Sequence, residues 1–371
     1  MAVKVVLAGG GTGGHLMPAL ALAQALVEAR AGVEPVLVGA ERGIESQVLP
    51  RHPFRFELLP LEPVYRRTWW RNVRWPAIAW RAWRAAGRVL DAEQPAIVVG
   101  TGGYAAAPLV WRAQRRGLAT VLQEQNAFPG LATRWLAHNA RQIHLGFPEA
   151  RARLSPGRAT AVFALGNPIQ PPTPGDPVAA RRAFGLDPGR PTVLVFGGSQ
   201  GARALNFALA GALEHRLLPD VNLLWGTGTR HESELGVYAV GGRVVVHGFF
   251  DPMADAYRAA DLVVCRAGAM TVAELCAWGK PSVLVPLPSA AADHQTFNAR
   301  ALAAAGAAVQ LPERELDANR LAREVRELLG ERPRLESLAA AARSRGRPDA
   351  SRDVVSKILT LVGEPRTLSQ V

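Results

Sequence analysis

Metal-binding and disulfide-forming patterns are scarce in this sequence. Cysteine occurs only 2 times, at Cys265 and Cys276, which excludes a disulfide framework and suits buried thiols in a reducing compartment. No Cys-Xaa-Xaa-Cys, His-Glu-Xaa-Xaa-His or Asp-Xaa-Asp occurs, and the 8 histidines are scattered, so neither a zinc site nor an acidic Mg²⁺ site is supported and no metal ligand is assigned. Acidic residues are outnumbered: 31 Asp and Glu stand against 43 Lys and Arg, a formal net charge of +12. Such a balance calls for an anionic partner, whether nucleic acid, a membrane surface or a phosphate-bearing substrate. Uninterrupted apolar runs are lacking too. The charge-free runs Val5 to Val27 and Gln94 to Trp111 carry glycines and proline inside, which fits strand, loop and helix start better than a lipid-facing helix. A strand begins by Val3 and leaves no room for a basic, cleavable leader, so a cytoplasmic protein is expected.

What is present is globular. The 371 residues are 49% hydrophobic and 20% charged, a chain long enough for two domains, each with its own core. The most informative stretch runs from Asp261 to Asn298. Asp261-Leu-Val-Val-Cys265 is an apolar run short enough for a buried strand, and it breaks at Arg266-Ala-Gly268-Ala269. Thr271-Val-Ala-Glu274-Leu-Cys-Ala-Trp278 then has helix-forming residues, with Gly279 as the stop. The amides of Ala269, Met270, Thr271 and Val272 thereby fall at a helix N-terminus, where N–H groups and the macrodipole favour a phosphate. Glu274, about one turn further on, can accept hydrogen bonds from two adjacent hydroxyls, as on a ribose. A second strand, Pro281 to Pro286, leads to a loop from Ala292 through Asp293, His294, Gln295, Thr296 and Phe297 to Asn298, rich in groups suited to sugar hydroxyls. The unit predicts a nucleotide-sugar pocket.

The rest of the chain repeats this plan. Lys4 to Ala8 reads as a strand followed by Gly9-Gly-Gly-Thr12-Gly13-Gly14-His15 and a helix from Pro18 to Ala29. Ala96 to Val99 leads into Gly100-Thr-Gly102-Gly103-Tyr104, and Thr120 to Gln123 delivers Glu124-Gln125-Asn126 at a strand's carboxyl end, the ligand edge of an open α/β sheet. Gly166 to Gly175, proline-rich and uncharged, reads as a linker. After it Thr192 to Phe196, Gly197-Gly198-Ser199-Gln200-Gly201 and a helix from Ala202 restart the pattern. The fold class expected is therefore α/β: two doubly wound parallel-sheet, Rossmann-like domains facing across a cleft.

Between Arg66 and Trp83 the composition changes. Trp69, Trp70, Trp75, Trp80 and Trp83 are five of the 9 tryptophans, interleaved with Arg66, Arg67, Arg71, Arg74 and Arg81. Indole at headgroup level and guanidinium on lipid phosphate suit a membrane interface, with Trp69, Trp70, Trp75, Trp80, Arg71 and Arg74 as the contacts. Core packing and nucleic-acid stacking are the competing readings. Gly9, Gly11 and Gly14 also fit the dinucleotide fingerprint, with Glu41 as its ribose acid, so a nicotinamide oxidoreductase is an alternative.

Six motifs stand in order: Gly10-Gly11-Thr12-Gly13-Gly14-His15; Gly102-Gly103-Tyr104; Glu124-Gln125-Asn126; Gly166-Asn167-Pro168; Gly197-Gly198-Ser199-Gln200-Gly201-Ala202; and Gly268 to Glu274 with Asp293-His294-Gln295. On these, over nearly its whole length, the sequence resembles the N-acetylglucosaminyltransferases of peptidoglycan synthesis, two-domain GT-B enzymes of glycosyltransferase family 28. The resemblance implies inverting transfer of GlcNAc from UDP-GlcNAc to the 4-hydroxyl of MurNAc-pentapeptide on undecaprenyl diphosphate, without metal or other cofactor. It implies a peripheral protein on the cytoplasmic face of the bacterial plasma membrane, with an anionic membrane surface and no nucleic acid as partner. Residues 1–165 would form the acceptor- and membrane-facing domain, 166–190 the linker and 191–348 the UDP-GlcNAc domain, with the segment 349–371 packing back on the first. Donor contacts implied are Thr12, Gly13, Gly14, Asn126, Ser199, Phe250, Ala269, Met270, Thr271, Val272, Ala273, Glu274 and Gln295. Gly102, Gly103 and Tyr104 would meet the acceptor diphosphate. Gln123 stands where a histidine often precedes Glu-Gln-Asn, and Gln170 where an arginine often follows Gly-Asn-Pro. Inversion needs one base to take the acceptor proton; His15 is the first candidate and Glu124 the second, His15 serving otherwise to order its loop. Another lipid acceptor, of diacylglycerol type, is the nearest alternative.

Overall fold

The computed structural model describes residues 3–62, 73–198 and 200–362. Trp69, Trp70, Arg71 and Ser199, expected at lipid or donor, lie outside the described residues. The chain divides into two units, Met1–Gln170 with Asp349–Val371, and Pro171–Pro348.

Among the described residues the first unit carries strands β1 (Val3–Gly9), β2 (Val33–Ala40), β3 (Arg55–Leu59), β4 (Ile97–Gly102), β5 (Ala119–Glu124), β6 (Gln142–Leu145) and β7 (Ala161–Phe163). They form one parallel sheet in the order β3-β2-β1-β4-β5-β6-β7. Val5, Val6, Leu7 and Ala8 of β1 are all fully buried, as an apolar run requires when helices cover both faces of a sheet. Those helices are α1 (Gly13–Ala29), α2 (Glu45–Val48), α3 (Trp75–Glu93), α4 (Gly103–Arg115) and α5 (Leu131–Leu136).

The second unit repeats the plan, with β8 (Thr192–Phe196), β9 (Asn222–Gly226), β10 (Val244–His247), β11 (Leu262–Cys265), β12 (Ser282–Leu284) and β13 (Val309–Gln310). Their order is β10-β9-β8-β11-β12-β13, again parallel. Its helices are α6 (Pro177–Ala183), α7 (Arg203–Glu214), α8 (Glu232–Leu235), α9 (Met253–Ala259), α10 (Ala269–Trp278), α11 (His294–Ala304), α12 (Ala318–Gly330) and α13 (Arg332–Arg345). In each sheet the strand order reverses once, between β1 and β4 and between β8 and β11. Ligands of doubly wound sheets bind beyond the carboxyl ends of the strands at that reversal.

Three local differences from the sequence expectation have physical causes. Helix α1 begins at Gly13, five positions before Pro18, which sits inside it; Pro108 lies equally deep inside α4. Each proline removes one intrahelical N–H, yet helical residues run directly out of the glycine turn, so the glycine amides are the helix N-terminus. The stretch expected as a sugar-reading loop is mostly helix: after Ala291–Asp293, α11 starts at His294 and includes Asn298. The edge strands β3 and β13 were not expected, because Arg55-Phe-Glu-Leu-Leu59 and Val309–Gln310 are short and only partly buried.

The final helix α14 (Ala350–Thr360) belongs to the first unit, with Val354, Val355 and Ile358 in the core of Val5, Leu7 and Leu22. Gln142 ties it down by donating from Nε2 to the Lys357 carbonyl at 3.0 Å. His144, fully buried, stands 3.0 Å by Nε2 from Gln142 Oε1 and packs against Phe163. Burial, with the Lys357 charge adding to it, lowers its pKa to about 4. In the unfolded chain the pKa is about 6.5, so between these values the unfolded state binds more protons and stability rises with pH. The neutral imidazole's contribution is complete above pH 6.5 and is lost as pH falls toward 4, by on the order of 3 kcal/mol at most. His144→Asn should therefore flatten the dependence of the melting temperature on pH across this window; an unchanged slope would contradict the buried neutral state.

Candidate functional site

The turns at the strand-order reversal of the first unit interlock. Gly11 has φ 88°, Gly102 φ 97° and Gly103 φ 78°, conformations open mainly to glycine. A Cβ on Gly103 would stand 1.9 Å from the Gly10 carbonyl oxygen, and one on Gly102 2.7 Å from His15 Cδ2. Thr12 caps α1 in extended conformation, with its Oγ1 3.0 Å from His15 Nδ1. Thr101 donates its hydroxyl to the His15 carbonyl at 2.7 Å. Tyr104 lies over Gly11, where a Cβ would be 2.5 Å from its ring. Thr12, Gly13, Gly14, His15, Gly102, Gly103 and Tyr104 are thus gathered at one sheet edge, with Thr12 and Gly14 exposed.

At the neighbouring strand end Glu124 is buried and both carboxylate oxygens are engaged. Oε1 accepts from Asn126 N at 3.0 Å and Asn126 Nδ2 at 3.3 Å, and Oε2 from Gly130 N at 3.0 Å. This carboxylate braces the loop that carries Asn126 into α5. Gln123 is also buried and donates to the Gly166 carbonyl, while Asn167 donates to the Gln125 carbonyl; Gln170 is exposed. Glu41 stands exposed just beyond β2, where the dinucleotide reading needs it.

In the second unit Gly198 and Gly201 have φ 84° and 73°, and a Cβ on Gly201 would lie 2.1 Å from the Thr227 carbonyl oxygen. The β11 turn is held from beneath. Arg266, almost wholly buried, donates from Nη1 to the Val285 and Pro286 carbonyls, each at 3.2 Å, and pairs with Glu313. Asn298 is fully buried and donates to the Ala267 carbonyl at 3.1 Å, so it secures the turn instead of reading a sugar. Gly268 caps α10, whose first residues are Ala269, Met270, Thr271 and Val272, followed by Ala273 and Glu274. Gly279 ends the helix with φ 62°.

Glu274 is half-buried, and Tyr257, buried in α9, donates its hydroxyl to Glu274 Oε2 at 2.8 Å. Burial pushes the Glu274 pKa up, while the tyrosine bond opposes that rise. One carboxylate oxygen is thus partly committed and Oε1 remains for another donor. Gln295 uses Oε1 to accept from Leu287 N at 3.0 Å, which leaves its amide NH₂ to donate. Phe250 is buried, edge-on to Phe184 and His247, beside a cavity of about 200 Å³ lined by those two residues, Phe249, Asp251 and Asp255. Cys265 and Cys276 are free and buried, and burial pushes the Cys276 pKa up to about 11, so both are inert thiols. Sequence reasoning missed Tyr257 and Arg266: the first is a lone aromatic in an alanine-rich helix, and the second was read only as part of a turn. Among the described residues no group of three or more His, Cys, Asp or Glu is placed to hold a metal ion.

A separate feature of the first unit is an aromatic surface. Trp83 of α3 lies 4.2 Å from Trp111 of α4, and Trp111 lies 5.1 Å from Trp135 of α5, centroid to centroid. Arg112 stacks over Trp83 and Arg84 over Trp80. Trp80, Trp111, Leu131 and Trp135 are exposed, and Trp75 is half-buried beside exposed Arg74. No helix among the described residues is long and apolar enough to cross a membrane.

Two family models match the chain: the glycosyltransferase family 28 N-terminal domain over residues 5–145 and the C-terminal domain over residues 192–354. A protein of Chlorobium luteolum named UDP-N-acetylglucosamine--N-acetylmuramyl-(pentapeptide) pyrophosphoryl-undecaprenol N-acetylglucosamine transferase is 43% identical, covering 98% of this chain and 100% of its own. A protein of the same name from Moorella thermoacetica is 42% identical, covering 97% and 99%. The crystal structure of Acinetobacter baumannii MurG aligns with TM-score 0.78 and 29% identity over 96% of this chain and 99% of that one. Gly197 to Gly201 also spells Gly-Xaa-Ser-Xaa-Gly, the string of a hydrolase elbow, and Gly9 to Gly14 the dinucleotide fingerprint; full-length similarity, unlike either string, separates these readings. With one model on each unit and such similarity across the whole length, the chain belongs to glycosyltransferase family 28.

Proposed function

We propose that this protein is an inverting transferase that moves GlcNAc from UDP-GlcNAc to the 4-hydroxyl of MurNAc-pentapeptide on undecaprenyl diphosphate. The observation that carries the reading is similarity along nearly the entire chain to transferases named for that donor and that lipid-linked acceptor. The turn from β11 into α10 supports the donor assignment.

The UDP diphosphate is met by the amides of Ala269 to Val272, with the helix dipole behind them. Departure of UDP is eased by donors that are already oriented, so no reorganisation accompanies the charge that develops. Glu274 Oε1 accepts a ribose hydroxyl while Tyr257 holds the other oxygen, Gln295 donates from its amide to the sugar, and the backbone beside Phe250 receives the base. Ser199 completes this set. Thr12, Gly13, Gly14 and Asn126 are assigned to the reacting sugar, and Gly102, Gly103 and Tyr104 to the acceptor diphosphate. His15 is the base: Thr12 Oγ1 stands 3.0 Å from its Nδ1, and in the tautomer that donates Nδ1–H to that hydroxyl, Nε2 carries the lone pair that takes the acceptor proton. Glu124 is the weaker candidate, because its oxygens already accept from the Asn126 and Gly130 N–H groups. The Trp80, Trp83, Trp111 and Trp135 surface with its stacked arginines, together with Trp69, Trp70, Arg71, Arg74 and Trp75, is assigned to the anionic membrane that carries the acceptor.

Three outcomes follow. In calorimetric titration, Glu274→Ala should weaken UDP-GlcNAc binding by about tenfold or more, as loss of a hydrogen bond to a charged acceptor implies, and Tyr257→Phe should weaken it less; unchanged affinity in Glu274→Ala would remove the ribose assignment. His15→Ala should lower kcat by about 10² with donor affinity preserved, and near-normal turnover would exclude it as the base. In a flotation assay with anionic vesicles, combined Trp80→Ala, Trp111→Ala and Trp135→Ala should release the protein from lipid, whereas equal retention would place the membrane contact elsewhere.

A further inference from the structure

Glu45, the first residue of α2, is fully buried beneath the glycine loop of the first unit. Its Oε1 accepts the Gly11 N–H, and Oε2 has no hydrogen-bond partner. Three glycines make room for it. A Cβ on Gly10 would stand 1.4 Å from Oε1, one on Gly43 1.8 Å from Oε2, and one on Gly39 2.6 Å from Glu45 Cβ. Burial pushes its pKa up, and the neighbouring backbone amides oppose the shift. A buried acid with one orphan oxygen costs stability that an apolar side chain of similar size would not.

The second unit shows that the fold does not need this acid. There α8 follows β9 as α2 follows β2, and it too opens with Glu-Ser, at Glu232-Ser233. Glu232 is exposed, however, and at Gly198, whose φ of 84° matches that of Gly11, an added Cβ would meet nothing within 4 Å, while at Gly197 it would meet Ala202 and Gly201 and no carboxylate. The carboxylate is thus specific to the loop that carries Thr12 and His15.

We propose that Glu45 is a positioning residue for the transfer reaction, a buried carboxylate that anchors Gly11 N–H from below and so fixes Thr12 and His15 for catalysis. The inference rests on the transferase reading above. It also means that Gly11 N–H is spent inside the protein, so an anion at this loop is met by other amides.

The test uses the purified full-length protein, measuring kcat, KM for UDP-GlcNAc, melting temperature and amide hydrogen exchange over residues 9–15. Glu45→Ala should lower kcat by about 10-fold to 100-fold, the scale of a small misplacement of catalytic groups, and speed exchange at Gly11. Donor KM should stay within about twofold, and Glu45→Gln, which keeps an acceptor oxygen, should recover most of the loss. Gly10 is not among the residues with positive φ, and the three atoms nearest an added Cβ all belong to the Glu45 side chain, so Gly10→Ala collides first with that carboxylate. That substitution should damage kcat in the wild-type background and change it by less than about twofold in Glu45→Ala, because one displacement cannot be made twice. Wild-type kcat in folded Glu45→Ala, or an equal Gly10→Ala penalty in both backgrounds, overturns the proposal. Should Glu45→Ala fail to fold, Gly10→Ala alone decides: intact turnover with unchanged exchange at Gly11 overturns it, and loss of both upholds it. A wild-type protein that transfers no GlcNAc, yet whose loop exchange tracks residue 45, would sink the transferase reading and leave the anchoring intact.

Discussion

The structure depends on backbone N–H groups left over where a parallel strand turns into a helix. Four such turns sit at the two reversals of strand order, after β1, β4, β8 and β11. A helix start has N–H groups with no intrahelical partner, and at the carboxyl edge of a sheet they face outward together with the dipole. Glycine at these points answers to contact. Gly103 has the Gly10 carbonyl oxygen where a Cβ would be, and Gly201 has the Thr227 carbonyl oxygen. The loops are packed against neighbouring strand ends, and their amides are fixed before any ligand arrives.

Around those turns the side chains divide their labour in the same way in both units. Arg266 and Asn298 hold the β11 turn through carbonyls, Thr101 holds the His15 carbonyl, and Glu124 holds the loop to α5. None of these is spare chemistry. Each is a buried polar group bonded to backbone atoms, with Arg266 also pairing with Glu313 and Glu124 also meeting Asn126 Nδ2, and such groups specify one loop conformation because leaving them unmade is costly. Glu274 differs in keeping one oxygen outside this internal accounting, which is why the second unit is read as the nucleotide-binding one.

Much of this was legible in the residues. The strands β1, β4, β8 and β11 announce themselves as short apolar runs leading into a glycine turn, and β5 as one ending in Glu124-Gln125-Asn126, because strands covered on both faces have no polar side to show. The repeat of that pattern gave the two-unit plan. The edge strands β3 and β13 were hidden, being short and half-polar. Asn298 was read as a sugar contact because a polar residue near a site looks the same in sequence whether it faces a ligand or a carbonyl. The bond from Tyr257 to Glu274 joins α9 to α10, and Gly11 meets Glu45 across 34 positions; pairing at that range is set by topology and leaves no local signature. The tryptophan surface was half legible. Trp80 and Trp83 stood in the Arg/Trp stretch, whereas Trp111 and Trp135 join them only once α4 and α5 pack beside α3.

The most direct test of the central claim is a crystal structure of the protein with UDP-GlcNAc bound. The account predicts the diphosphate within hydrogen-bond distance of the N–H groups that open α10, and a ribose hydroxyl on Glu274 Oε1 while Tyr257 keeps Oε2. A nucleotide bound away from that turn, or a diphosphate anchored without any of those amides, would contradict it.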